Sequence, residues 1–138
     1  MDIRKINDSI SVAPQINPDD MTAIAELGFR TVINNRPDGE APDQAPAALM
    51  EEAARNAGLA YRFVPVISGQ LTSDNVDDFA AAMAEVEGPV LAFCRSGTRS
   101  ATLWALSQAG KAPADEIVSQ AADAGYDMSP FRAALERG

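Results

Sequence analysis

The chain has 138 residues, of which 46% are hydrophobic and 22% are charged. This size predicts one globular domain over residues 1–138, since a core of this size buries roughly two-thirds of the chain surface. The net charge of −9, from 20 acidic and 11 basic residues, excludes nucleic-acid binding as a first expectation because the surface repels phosphate backbones. No apolar run reaches the roughly 20 residues of a bilayer span, so we expect a soluble, cytoplasmic protein without a membrane partner.

Two residue counts exclude further classes of function. The chain has no histidine, which excludes a Ser-His-Asp triad, a Cys-His pair and every histidine-ligated metal site. It has one cysteine, Cys94, which excludes an internal disulfide, a CxxC redox pair and a thiolate zinc cluster. We therefore expect no metal and no cofactor, and any cysteine chemistry must use a single sulfur atom.

Glycine, proline and capping residues divide the chain into alternating strands and helices. The predicted strands span residues 9–13 at the sheet edge, 29–34, 61–66 and 90–93, and the predicted helices span 18–27, 45–57, 73–87, 100–110, 114–124 and 129–137. The run at 90–93 is the most apolar strand, so we expect it at the centre of the sheet. This alternation predicts a three-layer α/β/α fold with a mostly parallel central sheet.

Cys94 begins the sequence Cys-Arg-Ser-Gly-Thr-Arg-Ser, between the apolar strand and a predicted helix. Backbone N–H groups at such a turn bind anions, and they stabilise a thiolate without a histidine base. Arg99 offers a planar fork for a phosphate, sulfate or thiosulfonate group, so Cys94 and Arg99 are the expected catalytic residues. The expected anion contacts in the same loop are Arg95, Ser96, Gly97, Thr98 and Ser100.

A structural interpretation of the same loop treats Cys94 as a small buried apolar residue and Arg99 as a solvated arginine of the first helical turn. The polar run that follows the cysteine favours the functional interpretation, since a core cysteine more often has apolar neighbours on at least one side.

The segment 36–40, with the sequence Arg-Pro-Asp-Gly-Glu, has two interpretations of equal weight. It follows a predicted strand, and strand ends in a parallel sheet share one rim, so Arg36 is a candidate for binding the anion beside Cys94. Its proline and glycine equally predict a tight turn, which Arg36 and Glu40 would close as an ion pair.

The cysteine loop resembles the active-site loop of rhodanese-type sulfurtransferases and, more loosely, the phosphate loop of cysteine-dependent protein phosphatases. Nearly the whole chain resembles a bacterial family of β-lactamase-hydrolase-like, phosphatase-like domains (DUF442). The residues that carry this resemblance are Gln15, Gly28, Phe29, residues 32–40, the loop 94–100, Trp104 and residues 125–127. The resemblance implies a fold of the protein tyrosine and dual-specificity phosphatase type.

The sequence departs from the phosphatase pattern at three positions. Phosphatases place the arginine six positions after the cysteine, whereas Arg99 is one position closer to Cys94. Phe93 stands where a histidine usually precedes the cysteine. Ser68 aligns with the aspartic acid that protonates the leaving group, and a serine is a poor proton donor.

We therefore expect an enzyme that forms a covalent intermediate on Cys94. Sulfane-sulfur transfer from thiosulfate or a persulfide is favoured, because sulfite leaves without needing a proton. Phosphate-monoester hydrolysis is the alternative, with Asp74 or Asp38 as candidate general acid, and a non-catalytic anion-binding module is the second alternative. The expected partner is a small anionic substrate, and sulfur transfer would associate the protein with a persulfide-metabolising enzyme.

Overall fold

A computed structural model describes residues 1–138 and contains one five-stranded sheet. The strands are β1 Arg4–Lys5, β2 Ile10–Ala13, β3 Thr31–Asn34, β4 Ala60–Phe63 and β5 Val90–Phe93. Their order in the sheet is β1-β2-β5-β3-β4, with β1 antiparallel to β2 and every other pair parallel. The central position predicted for the apolar strand at 90–93 is confirmed. The strand predicted at the sheet edge, residues 9–13, is β2 and lies second from the edge, because β1 pairs with its outer side.

Six helices cover the sheet. They are α1 Met21–Glu26, α2 Ala47–Asn56, α3 Ser73–Glu85, α4 Thr98–Ser107, α5 Ala114–Asp123 and α6 Arg132–Arg137. Single 3-10 turns at Pro18–Asp20 and Ser129–Phe131 lead into α1 and α6. None of these helices is both long enough and apolar enough to cross a membrane.

Successive residues of the central strands enter two different hydrophobic cores. Val32 and Leu91 belong to the core shared with α1 and α2, whereas Ile33 and Ala92 belong to the core shared with α3, α4, α5 and α6. A strand covered on both faces needs apolar residues at every position, which explains why these strands do not alternate with polar residues. The predicted three-layer α/β/α fold is confirmed. Trp104 lies in the core that also contains Ile33 and Ala92.

Most element boundaries differ from the predicted ones by one to three residues, and two of the differences have a clear physical cause. The predicted helix over 100–110 begins earlier, at Thr98, because Gly97 adopts a left-handed conformation and lets the chain turn into the helix. The predicted strand over 61–66 ends at Phe63, since Pro65 has no N–H to continue the ladder. The N–H of Val64 still donates to the carbonyl of Asn34 at the end of β3, at 2.9 Å, and that of Val66 donates to the carbonyl of Asn35 just after it, at 3.0 Å.

The parallel strands end at a common level. Ala13 and Asn34 both pair with Phe93, and Asn34 also pairs with Phe63. The loops that leave these four strands therefore share one rim of the sheet, as expected for a parallel α/β fold whose functional groups lie at the carboxyl ends of its strands.

Candidate active site

The sulfur of Cys94 lies at this rim, directly after β5. The residue is fully buried, and its backbone N–H donates to the carbonyl of Ala13 at 3.4 Å. The N–H of Gly97 donates to the sulfur at 3.1 Å. The sulfur is therefore held at the turn by a backbone donor.

The cysteine loop also carries backbone N–H groups without an acceptor in the chain. The residues concerned are Arg95, Ser96, Arg99 and Ser100, none of which donates its backbone N–H to another residue. Unpaired N–H groups at a helix N-terminus are donors for an anion, and the helix dipole adds to their effect. The loop thus has the donor set of the predicted anion site.

Gly97 allows the loop to approach Tyr126. Gly97 has a φ of 89°, and a Cβ at this position would overlap the tyrosine hydroxyl. That hydroxyl donates to the carbonyl of Ser96 at 3.2 Å. Burial raises the pKa of Tyr126, so the hydroxyl keeps its proton for this bond. Tyr126 therefore fixes the backbone of the loop, a role that the sequence analysis did not assign to it.

Arg99 is held beside the loop by three hydrogen bonds. Its Nη1 and Nη2 donate to the two carboxylate oxygens of Glu40 at 2.8 Å each, and Nη1 also donates to the Val66 carbonyl at 2.8 Å. The carboxylate raises the pKa of Arg99, which keeps the guanidinium charged. A guanidinium has five N–H donors, so two remain, on Nε and Nη2 along one edge. This edge is a fork that fits two oxygens of one anion.

Arg36 lies behind Glu40 and away from solvent. Its Nε donates to Glu40 at 3.0 Å and its Nη1 donates to Gln15 at 3.0 Å, while the residue is only 4% exposed. The ion pair proposed as a turn closure is present. The other interpretation, in which Arg36 faces the anion, does not fit these contacts. The guanidinium is bound to Glu40 and Gln15, and Glu40 links it to Arg99.

Glu40 is the carboxylate that contacts the cysteine loop. The hydrogen bond from Arg99 lowers its pKa, and Arg36 lowers it further, against the opposing effect of burial. One negative and two positive charges leave the cluster with a net charge of +1. The turn motif predicted the pairing of Glu40 with Arg36, but nothing in the sequence indicated its second partner, Arg99, which lies 59 positions away.

The side chain of Ser100 does not face the loop as an anion contact, as was expected, but points into the protein interior. Its hydroxyl is fully buried and donates to the side-chain oxygen of Asn35 at 2.7 Å. The amide of Asn35 in turn donates to the Val64 carbonyl at 2.9 Å. The Ser100 side chain therefore ties α4 to the neighbouring strands, and only its backbone N–H is available to a ligand.

The remaining side chains proposed as anion contacts are solvent-accessible. Arg95, Ser96 and Thr98 are exposed, and the Ser96 hydroxyl donates to that of Thr98 at 3.1 Å. These three residues can reach a ligand at the loop from the solvent side.

The two aspartates proposed as general acids lie in different surroundings. Asp38 accepts a hydrogen bond from the N–H of Ala47 at 2.7 Å, so its carboxylate caps the start of α2. Asp74 is exposed in the first turn of α3. Ser68 is exposed in the turn after Val66. The structure contains no cluster of three or more histidine, cysteine, aspartate or glutamate side chains that could hold a metal ion.

A buried cysteine between a parallel strand and a helix, with free loop amides and an arginine fixed at its side, defines a site of the cysteine-dependent phosphatase type. Residues 2–111 match the family model described as "Beta-lactamase hydrolase-like protein, phosphatase-like domain". The chain belongs to this family, as its sequence resemblance predicted.

One curated relative is the beta-lactamase hydrolase-like protein of Xylella fastidiosa strain 9a5c, which is 41% identical over 139 residues. The match covers 99% of this chain and 32% of that protein. The chain therefore spans about a third of the length of the curated relatives it matches.

Two solved structures illustrate the shared fold. The crystal structure of a candidate phosphatase from Neisseria meningitidis Z2491 is 34% identical, with a TM-score of 0.86 and coverage of 99% of this chain and 98% of that one. The core catalytic domain of the PP-IP phosphatase SIW14 from S. cerevisiae has a TM-score of 0.67 at 13% identity, covering 99% and 84%. This second likeness shows the fold alone, which is that of the protein tyrosine and dual-specificity phosphatases.

Proposed function

We propose that this domain hydrolyses phosphate monoesters through a phosphocysteine on Cys94. The observation that carries the proposal is the fixed Arg99 fork, because three of its five donors are used by Glu40 and Val66 and two are left on one edge. Donors held in place before the substrate arrives stabilise developing charge without further reorganisation. The phosphatase-like family of the chain supports the same reaction class. Sulfur transfer, which the sequence analysis favoured, becomes the second candidate.

The first step transfers the phosphoryl group to sulfur. The Cys94 thiolate attacks phosphorus, an S–P bond forms, and the ester P–O bond breaks so that the alkoxide leaves with the electron pair. The two free donors of Arg99 and the unpaired loop N–H groups bind the non-bridging oxygens. Water then attacks the phosphocysteine, which releases inorganic phosphate and restores the thiolate.

Leaving groups that need no proton should react fastest. The serine in the general-acid position, Ser68, is a poor proton donor, and Asp38 already caps α2. Loss of a general acid lowers rates by about 10²–10⁴, with the largest loss for basic alkoxides. Aryl monoesters should therefore be cleaved much faster than alkyl monoesters. Asp74 stays a candidate acid, and an Asp74→Asn variant with unchanged rates on alkyl esters would remove it.

The test combines turnover with trapping of the intermediate. The wild-type protein should hydrolyse p-nitrophenyl phosphate in a vanadate-sensitive reaction, and rapid acid quenching should leave one phosphoryl group on Cys94 by mass spectrometry. The Cys94→Ser variant should fold normally and lose all activity. Activity retained in this variant would overturn the proposal.

The role of Arg99 is tested with a matched pair of conservative variants. Arg99→Lys keeps the charge and removes the fork, so kcat/KM should fall by about 10²–10³. Arg30→Lys changes an exposed arginine just before β3, at the opposite end of the sheet, and should leave kcat/KM unchanged. Equal values for both variants would exclude the Arg99 fork as the oxygen-binding group.

Sulfane-sulfur transfer is favoured by one observation, the serine at position 68 in place of a leaving-group acid. In this reaction the Cys94 thiolate attacks the outer sulfur of thiosulfate, an S–S bond forms, and sulfite leaves with the electron pair of the broken S–S bond. An acceptor thiolate then takes the outer sulfur, and the partner would be an enzyme that metabolises persulfides. Incubation with thiosulfate should add the mass of one sulfur atom to Cys94. The absence of this adduct, together with a phosphoryl adduct from an ester, would exclude sulfur transfer.

A further inference from the structure

Two carbonyl groups of the cysteine loop lie before the hydrogen bonds of α4 begin. The first carbonyl that the helix uses is that of Gly97, which accepts from the N–H of Ala101 at 2.9 Å. The carbonyls of Arg95 and Ser96 precede it, so the helix does not hold them in place. Contacts from outside the loop therefore decide how these two peptide units are oriented.

Each of the two carbonyls accepts a hydrogen bond from a different part of the chain. The backbone N–H of Gln15, in the loop after β2, donates to the Arg95 carbonyl at 3.2 Å. The hydroxyl of Tyr126, in the loop after α5, donates to the Ser96 carbonyl at 3.2 Å. The first donor belongs to the backbone, whereas the second is a side-chain group that one conservative substitution removes.

Holding a carbonyl also sets the direction of the N–H in the same peptide unit. The peptide bonds of the loop are trans, and in a trans peptide the C=O and N–H groups point in opposite directions. The Ser96 carbonyl points to Tyr126. The N–H of the same unit belongs to Gly97, and it points the other way and donates to the Cys94 sulfur at 3.1 Å. The tyrosine hydroxyl thus holds one side of a peptide unit whose opposite side meets the sulfur.

The loop backbone alone does not fix this peptide unit, because it ends at a glycine. Gly97 has a φ of 89°, and glycine adopts positive and negative φ about equally. Rotating the unit between Ser96 and Gly97 would turn its carbonyl oxygen towards the sulfur and its N–H away. An N–H binds an anion at such a turn, whereas a carbonyl oxygen repels it. The rotation would also break the bond from Tyr126, so this hydroxyl favours the orientation that accepts an anion.

Tyr126 is itself anchored by α5 and β1. Its backbone N–H donates to the carbonyl of Ala121 at 2.9 Å. The guanidinium of Arg4 lies over the tyrosine ring, 6.0 Å from its centroid, and Nη1 of Arg4 donates to the Ala124 carbonyl at 3.3 Å. The residue is only 8% exposed. The hydroxyl is therefore held at the Ser96 carbonyl before any ligand arrives.

We propose that Tyr126 is a positioning residue of the anion site, whose hydroxyl keeps the N–H of Gly97, and not the carbonyl of Ser96, turned towards the sulfur and an oxyanion bound beside it. The inference deepens the proposed function and rests on it only for the identity of the oxyanion as a phosphoryl group. The hydroxyl acts through the peptide unit and does not touch the ligand. Its removal should lower the affinity for an oxyanion while every group that contacts the oxyanion is still present.

The test measures the binding of tungstate, an oxyanion shaped like phosphate, by calorimetry. Tyr126→Phe keeps the ring and removes the hydroxyl. The matched control is Tyr61→Phe, which removes the other tyrosine hydroxyl of the chain, an acceptor for Asn34 at 3.0 Å in the core shared with α1 and α2. We expect Tyr126→Phe to weaken tungstate binding about 3- to 10-fold, the range that one neutral hydrogen bond supports, and Tyr61→Phe to match the wild type. Unchanged binding in Tyr126→Phe, or equal weakening in both variants, would overturn the positioning role.

The amide NMR signal of Gly97 gives a second readout, which a general loss of stability does not move in the folded protein. Tyr126→Phe should shift this signal in the ligand-free protein, whereas Tyr61→Phe should leave it in place. An unmoved Gly97 signal in Tyr126→Phe would overturn the proposal even if tungstate bound more weakly.

The outcome for Tyr126 is separable from that for the proposed reaction, because tungstate binding does not require turnover. A wild-type protein that hydrolyses no phosphate monoester, but whose tungstate binding follows the expected pattern, retains the positioning role and overturns the reaction. An active phosphatase whose tungstate binding is unaffected by Tyr126→Phe retains the reaction and overturns the positioning role.

Discussion

Glu40 joins the loop after β3 to the cysteine loop, because its two oxygens bind Arg99 while one of them also binds Arg36. Arg36 is almost fully buried, and a buried guanidinium depends on its carboxylate partner. Removal of one member of a buried ion pair typically destabilises a protein by 3–5 kcal/mol, since the other charge is left without compensation.

Replacing this carboxylate should therefore affect both stability and the site. We expect Glu40→Gln to lower the free energy of unfolding by about 3 kcal/mol at neutral pH, measured by urea denaturation. The control is Glu51→Gln, which removes an exposed ion pair with Arg55 and should cost at most about 0.5 kcal/mol. Equal effects of the two changes would contradict a special role for Glu40.

The same carboxylate gives stability a dependence on acid pH. Because Arg99 and Arg36 hold the folded-state pKa of Glu40 below its ordinary value, its contribution is present above that ordinary value. The contribution is lost as pH falls through the lowered pKa, where the carboxylate takes up a proton. Glu40→Gln should therefore show a flatter decline in unfolding free energy than the wild type below pH of about 4.5.

Gly97 combines a left-handed backbone with contact to Tyr126. Gly97→Ala should cost about 1–2 kcal/mol from the backbone alone, and the overlap of its Cβ with the tyrosine hydroxyl adds to this cost. The double variant with Tyr126→Phe should recover only part of the lost stability, because the backbone strain remains. Thermal unfolding of the single and double variants measures how much stability is recovered. If the double variant recovered all the stability lost in Gly97→Ala, backbone strain would contribute nothing.

At the scale of elements, the bond from Ser100 to Asn35 connects α4 to the end of β3. Ser100→Ala removes the hydroxyl that donates to the buried side-chain oxygen of Asn35, so we expect a loss of about 1–3 kcal/mol in unfolding free energy. Ser119→Ala on the exposed side of α5 is the matched control and should be nearly neutral. A neutral Ser100→Ala variant would mean that this bond does not hold the two elements together.

The elements themselves were largely predictable from local sequence. Helix ends followed glycines and capping residues, and the apolar runs without alternation identified strands covered on both faces. The pairing of Arg4 and Lys5 with β2 was not predictable, because a two-residue strand has no periodicity of its own. The early start of α4 was also missed, since it depends on the left-handed conformation of Gly97.

The site was predictable only where its residues are neighbours in the sequence. Cys94 and the loop N–H groups follow from one strand-to-helix turn, and the structure places them together. The pairing of Glu40 with Arg99 and the contact of Tyr126 with Ser96 join residues 59 and 30 positions apart. Such contacts depend on the order of strands in the sheet, which local patterns do not determine.

At the scale of the whole molecule, the two tyrosines predict a loss of stability in alkaline solution. Burial raises the pKa of Tyr61 to about 12 and raises that of Tyr126, whereas unfolded tyrosines ionise near 10. Because these folded pKa values are raised, their stabilising contribution is complete below pH of about 10 and is lost as pH rises towards 12.

Absorbance of tyrosinate tests this prediction directly, because the chain has two tyrosines. The native protein should show little tyrosinate just above pH 10, whereas the urea-unfolded protein should show the signal of both residues. The Tyr61→Phe variant should lose less unfolding free energy over this alkaline range than the wild type. An ordinary tyrosinate titration of the native protein would contradict the burial of both hydroxyls.

The presence of a single cysteine has a consequence for oxidative damage. Peroxide converts a reactive thiolate into a sulfenic acid, which many redox-regulated proteins protect by forming a disulfide with a second cysteine. Cys94 has no such neighbour in this chain, so an oxidised site can regain its thiol only with the help of an outside reductant. A small thiol added soon after peroxide should therefore reduce the sulfenic acid of Cys94 back to the thiol. Once a second oxygen atom has been added to the sulfur, the oxidation should be irreversible.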